Sequence, residues 1–563
     1  MIKRFRTFRT GAKPRRRRSP WLRAALIALA LPPCAAALFS LTTVYKIYAS
    51  NQVEKRLAAS PAPVPGQRLL VFAPHPDDET LGAAGLMREA RLRGDDVRVV
   101  IITNGDGFRI SAAQEFHEVV VPPKDFVRYA YLRQGEARTA LGVLGVLPDH
   151  IQFLGYPDRG LMPMWTSHWS PESPIASAFT NEDHSPYNDS PTPHAAYCGK
   201  SLLEDIQRQM QVERPTDIYV THPNDDHPDH AAASVFVRTA LQQLQAQGVP
   251  WAKSAHLHYY LVHRGDWPTP QGLHEDAPLL PPGQMDSLDT HWAALPLTRR
   301  DTQKKYAAIK RYRSQVEMSS RFLFSFARQN ELFATLGDDN KSPGLSRVPD
   351  GRFQMDGDPK DWAAQTPVAL DPAGDSVMRA FQPGGDIVRL FACRDSRFLY
   401  VRMDAARPLS PQIAYTFTLR PIVSGGSQPA SELLTLVPGA PGHRLTLPGV
   451  PSGVYAWRGS LLEAAVPLAA VGLAHPAANE TLYVMGQTRF ANIEIDRTGF
   501  RAVACTPVNP TPARELATLP SAGRDSHSYG RVRILPLAAS SPLFPARLAQ
   551  SQSPARGPAG QTR

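Results

Sequence analysis

Two short stretches hold most of the residues able to do chemistry. His75-Pro76-Asp77-Asp78-Glu79 packs one imidazole and three carboxylates into five positions, and His222-Pro223-Asn224-Asp225-Asp226-His227-Pro228-Asp229-His230 adds three imidazoles and three carboxylates. Catalytic zinc takes three His or carboxylate ligands and leaves a fourth position for water. His75 and Asp78 are suited to face one such ion, and His222, His227 and His230 compete for the third place. His230 ranks first, because like Asp78 it adjoins a helix start. Asp77, next to a ligand but not itself bound, suits the base that takes a proton from attacking water. His227, with Asp229 to hold its charge, suits the group that steadies a tetrahedral intermediate or protonates a leaving amine.

These residues need elements to bring them together. The apolar run 69–72 reads as a strand ending at the first motif, and small residues then open a helix to residue 93. Residues 97–103 and 151–154 read as further strands, with a helix over 126–144 between them. A strand at 216–220 ends in the second motif, which runs directly into a helix at 231–247. A fifth strand is expected at 256–263 and a basic helix at 302–313. Strands alternating with helices predict a doubly wound parallel sheet, whose ligands bind at the carboxyl ends of the strands. Either motif alone reads equally well as a solvated turn; two of them at strand ends of one alternating pattern point to a site. The loop 160–198, rich in Pro, Ser, Asn and aromatics, is long enough to cover it.

The chain has 563 residues, too many for one core, and a net charge of +11. Nine Lys and Arg with no acid fall in residues 1–18, and removing them leaves +2. The remainder is nearly neutral, so no nucleic-acid groove is implied. Residues 24–45 carry no charge and are long enough to span a bilayer. The expected layout is a basic cytoplasmic tail (1–23), a transmembrane anchor (24–48), a Pro-rich linker (49–66), an α/β domain (67–345), a β-sandwich (346–537) and a disordered tail (538–563). A cleaved signal peptide is the rival for the apolar stretch. In either case the positive-inside rule puts the folded part outside the cytoplasm, on the periplasmic or cell-exterior side of the inner (plasma) membrane. Four cysteines show no CxxC spacing, which gives no support to a zinc ribbon. Cys393 and Cys505 fall in strand-like runs and read as a pair or as two buried thiols.

Ala73-Pro74-His75-Pro76-Asp77-Asp78-Glu79 together with His227-Pro228-Asp229-His230 closely resembles the PIG-L/LmbE-like family of zinc-dependent N-acetylglucosamine deacetylases. Pro74 departs from the AHPDDE spelling by separating Ala from His, while the spacing of His75 and the carboxylates is kept. The resemblance covers about residues 66–335, with supporting matches at 133–142, 155–158 and 306–315. It implies a Rossmann-like fold, Zn2+ on His75, Asp78 and His230, Asp77 as general base and His227 as the oxyanion partner. Asp106 and Asp158, at strand ends, are candidates to line the sugar pocket, with turn-forming roles as the alternative. The C-terminal part, with Asp356-Gly357-Asp358 and Trp362, looks like carbohydrate-binding β-sandwiches of the family-nine type, with Trp362 as a sugar platform or as core.

The expectation is therefore a membrane-anchored zinc hydrolase that removes acetyl from N-acetylated amino sugars of a cell-surface or exported glycan. The alternatives are a zinc amidase acting on another sugar-linked amide and a catalytically silent glycan-binding surface protein.

Overall fold

The computed structural model describes residues 57–59, 65–283, 285, 288, 290–337, 344–423, 432–437, 444–447, 450–473, 480–491, 493–505 and 531–534. The expected tail, anchor, most of the linker, and the C-terminal tail lie outside them. Among the described residues no helix is long and apolar enough to cross a membrane. The chain divides into two units, Met1–Ser342 with Leu370–Asp375, and Pro343–Ala369 with Ser376–Arg563.

The first unit is built on one eight-stranded sheet. Its strands are β1 (Ala58–Ala59), β2 (Arg68–Ala73), β3 (Asp96–Thr103), β4 (Ile151–Tyr156), β5 (Asp217–Thr221), β6 (His256–Tyr260), β7 (Thr290–Pro296) and β8 (Asn330–Leu336). Its helices are α1 (Asp78–Arg93), α2 (Arg109–Phe116), α3 (Pro123–Leu144), α4 (Leu161–Thr166), α5 (Gly199–Glu213), α6 (Pro228–Ala246), α7 (Arg299–Ile309) and α8 (Arg313–Phe324). Strands β4-β3-β2-β5-β6 are parallel neighbours in that order. Chain order therefore reverses between β2 and β5, which makes their carboxyl ends the crevice of a doubly wound sheet. Leu69 to Ala73 are all buried, as a central strand covered on both faces requires.

The sheet departs from the all-parallel expectation beyond β6. There β8 pairs antiparallel with β6 and with β7, so the sheet is mixed. Apolar pattern marks a strand but carries no direction. Before β8 the structure has α7 where a helix was expected at 302–313, and then a second helix, α8, that the sequence reading did not include.

Helix α1 is kinked at Ala83, where φ is −137° and ψ 18°. Glu331 accepts the backbone N–H groups of Gly85 (2.8 Å) and Leu86 (2.9 Å), and Lys305 donates to the Leu81 carbonyl (2.7 Å) and to Glu331 (2.7 Å). This buried ion pair takes over hydrogen bonds at the break, which keeps a kinked helix paired inside a core. The backbone there is packed tightly: a Cβ on Gly82 would come within 2.1 Å of the Tyr260 ring.

The second unit is all β. Strands Ile387–Arg394, Phe398–Ala405, Leu461–Pro467, Val450–Arg458 and Arg444–Leu447 lie side by side and antiparallel. A further antiparallel sheet is centred on Ile413–Val423 and Glu480–Phe490. Leu390 and Val401 from one sheet share a core with Phe417 and Val484 from the other. Trp362 is 2% exposed, packs edge-on against Phe353, and donates its indole N–H to Glu463 (2.8 Å). It is a core residue and offers no sugar platform. Cys393 and Cys505 are free, buried thiols.

Candidate active site

Both motifs arrive at the switch point between β2 and β5. After β2, the turn carries His75, and Asp78 opens α1. After β5, residues 222–227 form the turn that ends in the N-terminus of α6, with His230 in its first turn. Nδ1 of His75 lies 3.1 Å from Oδ2 of Asp78 and 3.2 Å from Nε2 of His230, and that nitrogen lies 3.1 Å from Oδ2 of Asp78. Three donor atoms thus form a nearly equilateral triangle. Zinc bonds of ~2.0–2.1 Å in tetrahedral geometry set donors ~3.3 Å apart, so these side chains fit that ion.

The outward-facing nitrogens are also held. Nδ1 of His230 lies 3.2 Å from Oδ2 of Asp225, and Nε2 of His75 lies 3.3 Å from Asp229 and 3.5 Å from Asp158. Such carboxylate–imidazole pairs fix tautomer and ring orientation in metal sites. Burial pulls the His230 pKa down, but Asp225 and Asp78 outweigh it and raise it to about 9. Burial pushes the Asp78 carboxyl up, but His230 and His75 hold it well below the usual carboxylate range.

Asp77 is next to this cluster. Its φ of 133° is on the positive side, where a residue with a Cβ is strained. Its backbone N–H donates to Glu79 (3.1 Å), whose other oxygen accepts from Thr80 (3.0 Å) and from the Tyr312 hydroxyl. Arg133 of α3 donates to the carbonyls of Pro76 (2.6 Å) and Gly105 (3.0 Å) and lies 3.4 Å from the Asp77 carboxylate. Burial raises the Asp77 carboxyl to about 8, with Arg133 pulling against it.

His227 stands edge-on to His75, with ring centroids 4.7 Å apart. Its Nδ1 accepts the N–H of Asp229 (3.3 Å), which leaves the ring proton on Nε2. Burial and the neighbouring imidazoles of His75, His230 and His263 hold its pKa well below normal, so the ring is neutral and a donor at Nε2.

His75, Asp77, Asp78, His227 and Asp158 line one cavity of about 230 Å3. Asp229 is placed differently from the expectation that it holds charge on His227. Its carboxylate accepts N–H groups from Arg159 (2.6 Å) and Leu161 (3.1 Å) and faces His75, because the first turn of α6 directs it under the loop after β4. Asp106 is fully buried outside the cavity lining, accepting from Tyr187 (2.8 Å) and the Asp158 N–H (3.0 Å). His222 stacks on Trp292 and takes no place in the donor triangle.

Three residues gained no role from the sequence. Asp225 sits inside the second motif and was legible there as a carboxylate five residues before a ligand. His263 follows β6, stacks on Phe322 and lines the cavity; a donor atom of its ring lies within 4.8 Å of donors from Asp78 and His230. Arg133 lies on α3, and nothing local distinguishes it from other helix arginines.

A doubly wound sheet with a His/Asp donor cluster at its switch point, a strained carboxylate beside it and a neutral imidazole donor across it is an arrangement able to hold a metal ion and to move a proton beside it. Residues 70–241, within the α/β unit, match the family described as PIG-L: GlcNAc-PI de-N-acetylase. Over 181 residues the chain is 31% identical to 1D-myo-inositol 2-acetamido-2-deoxy-alpha-D-glucopyranoside deacetylase of Mycobacterium sp. (strain KMS), covering 32% of this chain and 52% of that protein. The match thus spans about half the length of that relative. The like-named protein of Thermomonospora curvata is 27% identical over 309 residues, covering 51% of this chain and 94% of its own. Among solved structures, N,N'-diacetylchitobiose deacetylase from Pyrococcus horikoshii is 19% identical with a TM-score of 0.31, over 48% of this chain and 84% of that one. The 4-carboxy-2-hydroxymuconate hydratase from Pseudomonas putida KT2440 is 16% identical with a TM-score of 0.29, over 46% and 82%.

Proposed function

We propose that this protein is a zinc-dependent deacetylase of N-acetylated amino sugars in a cell-surface or exported glycan. The observation that carries the reading is the triangle of His75 Nδ1, Asp78 Oδ2 and His230 Nε2, with Asp77 beside it. Zinc bound there supplies Lewis acidity to the amide carbonyl and makes water easier to deprotonate. Asp77 takes one proton from the water as its oxygen bonds to the acetyl carbon. His227 donates from Nε2 to the oxygen that becomes negative in the tetrahedral intermediate. The C–N bond then breaks, Asp77 returns its proton to the departing nitrogen, and acetate and a free amine are the products. His75, Asp78 and His230 would hold the ion, while Asp229 and Asp225 hold the rings of His75 and His230.

The basic tail and charge-free stretch before residue 46 support a site facing the periplasm or cell exterior. Acetate release by the full-length, zinc-loaded protein from a panel of N-acetylated glycans tests the reading. Acetate from at least one glycan, and none from the Asp77→Ala protein, is expected. Equal release by wild type and variant overturns it.

A further inference from the structure

The chain leaves the α/β unit after Ser342, builds Pro343–Ala369 of the other unit, returns for Leu370–Asp375 and leaves again. The deacetylation steps leave this short return unused. It is a turn: Pro372 fixes one φ, and Gly374 takes φ 88°. Its two carboxylates both enter the α/β unit. Oδ1 of Asp371 accepts the side-chain amide of Asn224 (3.1 Å), and Oδ2 of Asp375 pairs with Nη2 of Arg264. Asn224, Asp371 and Arg264 are buried, and the Asp375 side chain is 7% exposed.

Arg264 carries the contact onward. Its Nη1 donates to the Asn224 carbonyl (3.1 Å) and to Oδ1 of Asp226 (2.9 Å), whose other oxygen accepts the Gly265 N–H (2.6 Å). Burial pulls the Arg264 pKa down, but Asp375, Asp226 and Asp371 outweigh it and raise it, so the guanidinium stays charged. Asn224 and Asp226 flank Asp225, which accepts the His227 N–H, and the Asp226 N–H donates to the carbonyl of His263 (2.9 Å). His227 and His263 line the cavity. The turn 222–227 belongs to neither a helix nor a strand, so its shape depends on such side-chain partners. A buried ion pair is poor at adding net stability, and fixing one geometry is its better-attested use.

We propose that residues 370–375 are a working part of the active site, with Asp371 and Asp375 as positioning residues that hold the 222–227 turn, and with it His227, in place over the donor triangle. The two motifs then do not complete the site by themselves: part of its support comes from 147 residues past Asn224. This rests on the deacetylase reading only where turnover is measured. Misplacing a reacting group by ~1 Å costs about 100-fold in rate, so a loss of about 10- to 100-fold in kcat is expected when the hold is released.

The test is backbone hydrogen exchange, followed by mass spectrometry, on the full-length zinc-loaded protein and on its Asp375→Asn, Asp371→Ala and Asp371→Asn variants. In the first two, exchange is expected to quicken by about tenfold or more in 222–230 and 260–266, with β2 and β3 unchanged. Asp371→Asn keeps an acceptor for the Asn224 amide and should recover most of what Asp371→Ala loses. Asp375→Asn keeps an acceptor for Arg264 and serves if Asp371→Ala does not fold. Acetate release in the same samples should show the loss in kcat, with KM and zinc content within about twofold of wild type. Arg264→Gln with Asp375→Asn should be no worse than Arg264→Gln alone, since both act through one contact. Unchanged exchange in 222–230 overturns the proposal, and so does a rise spread evenly over the α/β unit, which is what a plain structural anchor gives. Wild-type kcat in a variant whose turn exchanges faster overturns it as well. If the wild type releases no acetate from any glycan, the deacetylase reading fails, and the exchange result still decides whether the return holds the turn.

Discussion

Oδ2 of Asp225 lies 3.2 Å from Nδ1 of His230, directly behind the nitrogen that belongs to the donor triangle. The same carboxylate accepts the backbone N–H groups of Val262 and His263 (3.0 Å each) and, through its other oxygen, that of His227 (3.0 Å). One side chain thus aims a metal ligand and ties the β5 and β6 turns together. Asp225→Asn keeps the shape but removes the charge, and zinc affinity is expected to fall about 10- to 100-fold. Competition against a calibrated chelator measures it.

Asp77→Asn separates proton transfer from metal binding. The variant is expected to hold wild-type zinc content by elemental analysis and to lose about 10²- to 10⁴-fold in kcat, the usual worth of a general base. A parallel loss of zinc would show Asp77 to be a ligand.

Zinc binding to the metal-free protein is expected to release protons. His230 is raised from its ordinary value to about 9, so its pairing with Asp225 and Asp78 stabilises the metal-free fold fully below about 6.5. That contribution is lost as pH rises through about 9. The ion competes with this proton, so apparent affinity should rise by about tenfold per pH unit for each proton displaced and level off above about 9. Affinity measured from pH 6 to 10 checks the slope; a flat profile would contradict a protonated His230.

Lys305 and Glu331 are fully buried and satisfy the backbone at the Ala83 kink. Lys305→Met leaves the Glu331 charge uncompensated and is expected to cost about 3–5 kcal/mol in denaturant unfolding. Adding Glu331→Gln should recover part of that loss, because the remaining amide no longer buries a charge.

The chemistry-bearing residues were legible because each motif is local. A strand end, a proline-bounded turn and a helix start put His75, Asp77 and Asp78 together whatever the rest of the chain does, and they do the same for His227, Asp229 and His230. The doubly wound class was legible for a similar reason, since buried parallel strands are written as apolar runs between amphipathic helices. Neither β7 nor β8 was read as a strand, and the antiparallel direction of β8 was not legible either, because strand direction depends on connections and not on hydrophobic pattern.

The sequence by itself determined the two turns, their donor types and the strands that deliver them. The tertiary structure decided which imidazole completes the triangle, since His222 turns to Trp292 while His230 meets His75 and Asp78. It also gave Asp229 to His75, set the His227 proton on Nε2, and brought Arg133 from α3 against Asp77. The reason is that β2 and β5, some 150 residues apart in the chain, are neighbours only through the reversal of strand order. Contacts across that crevice depend on sheet register and helix packing, which no local stretch of sequence contains.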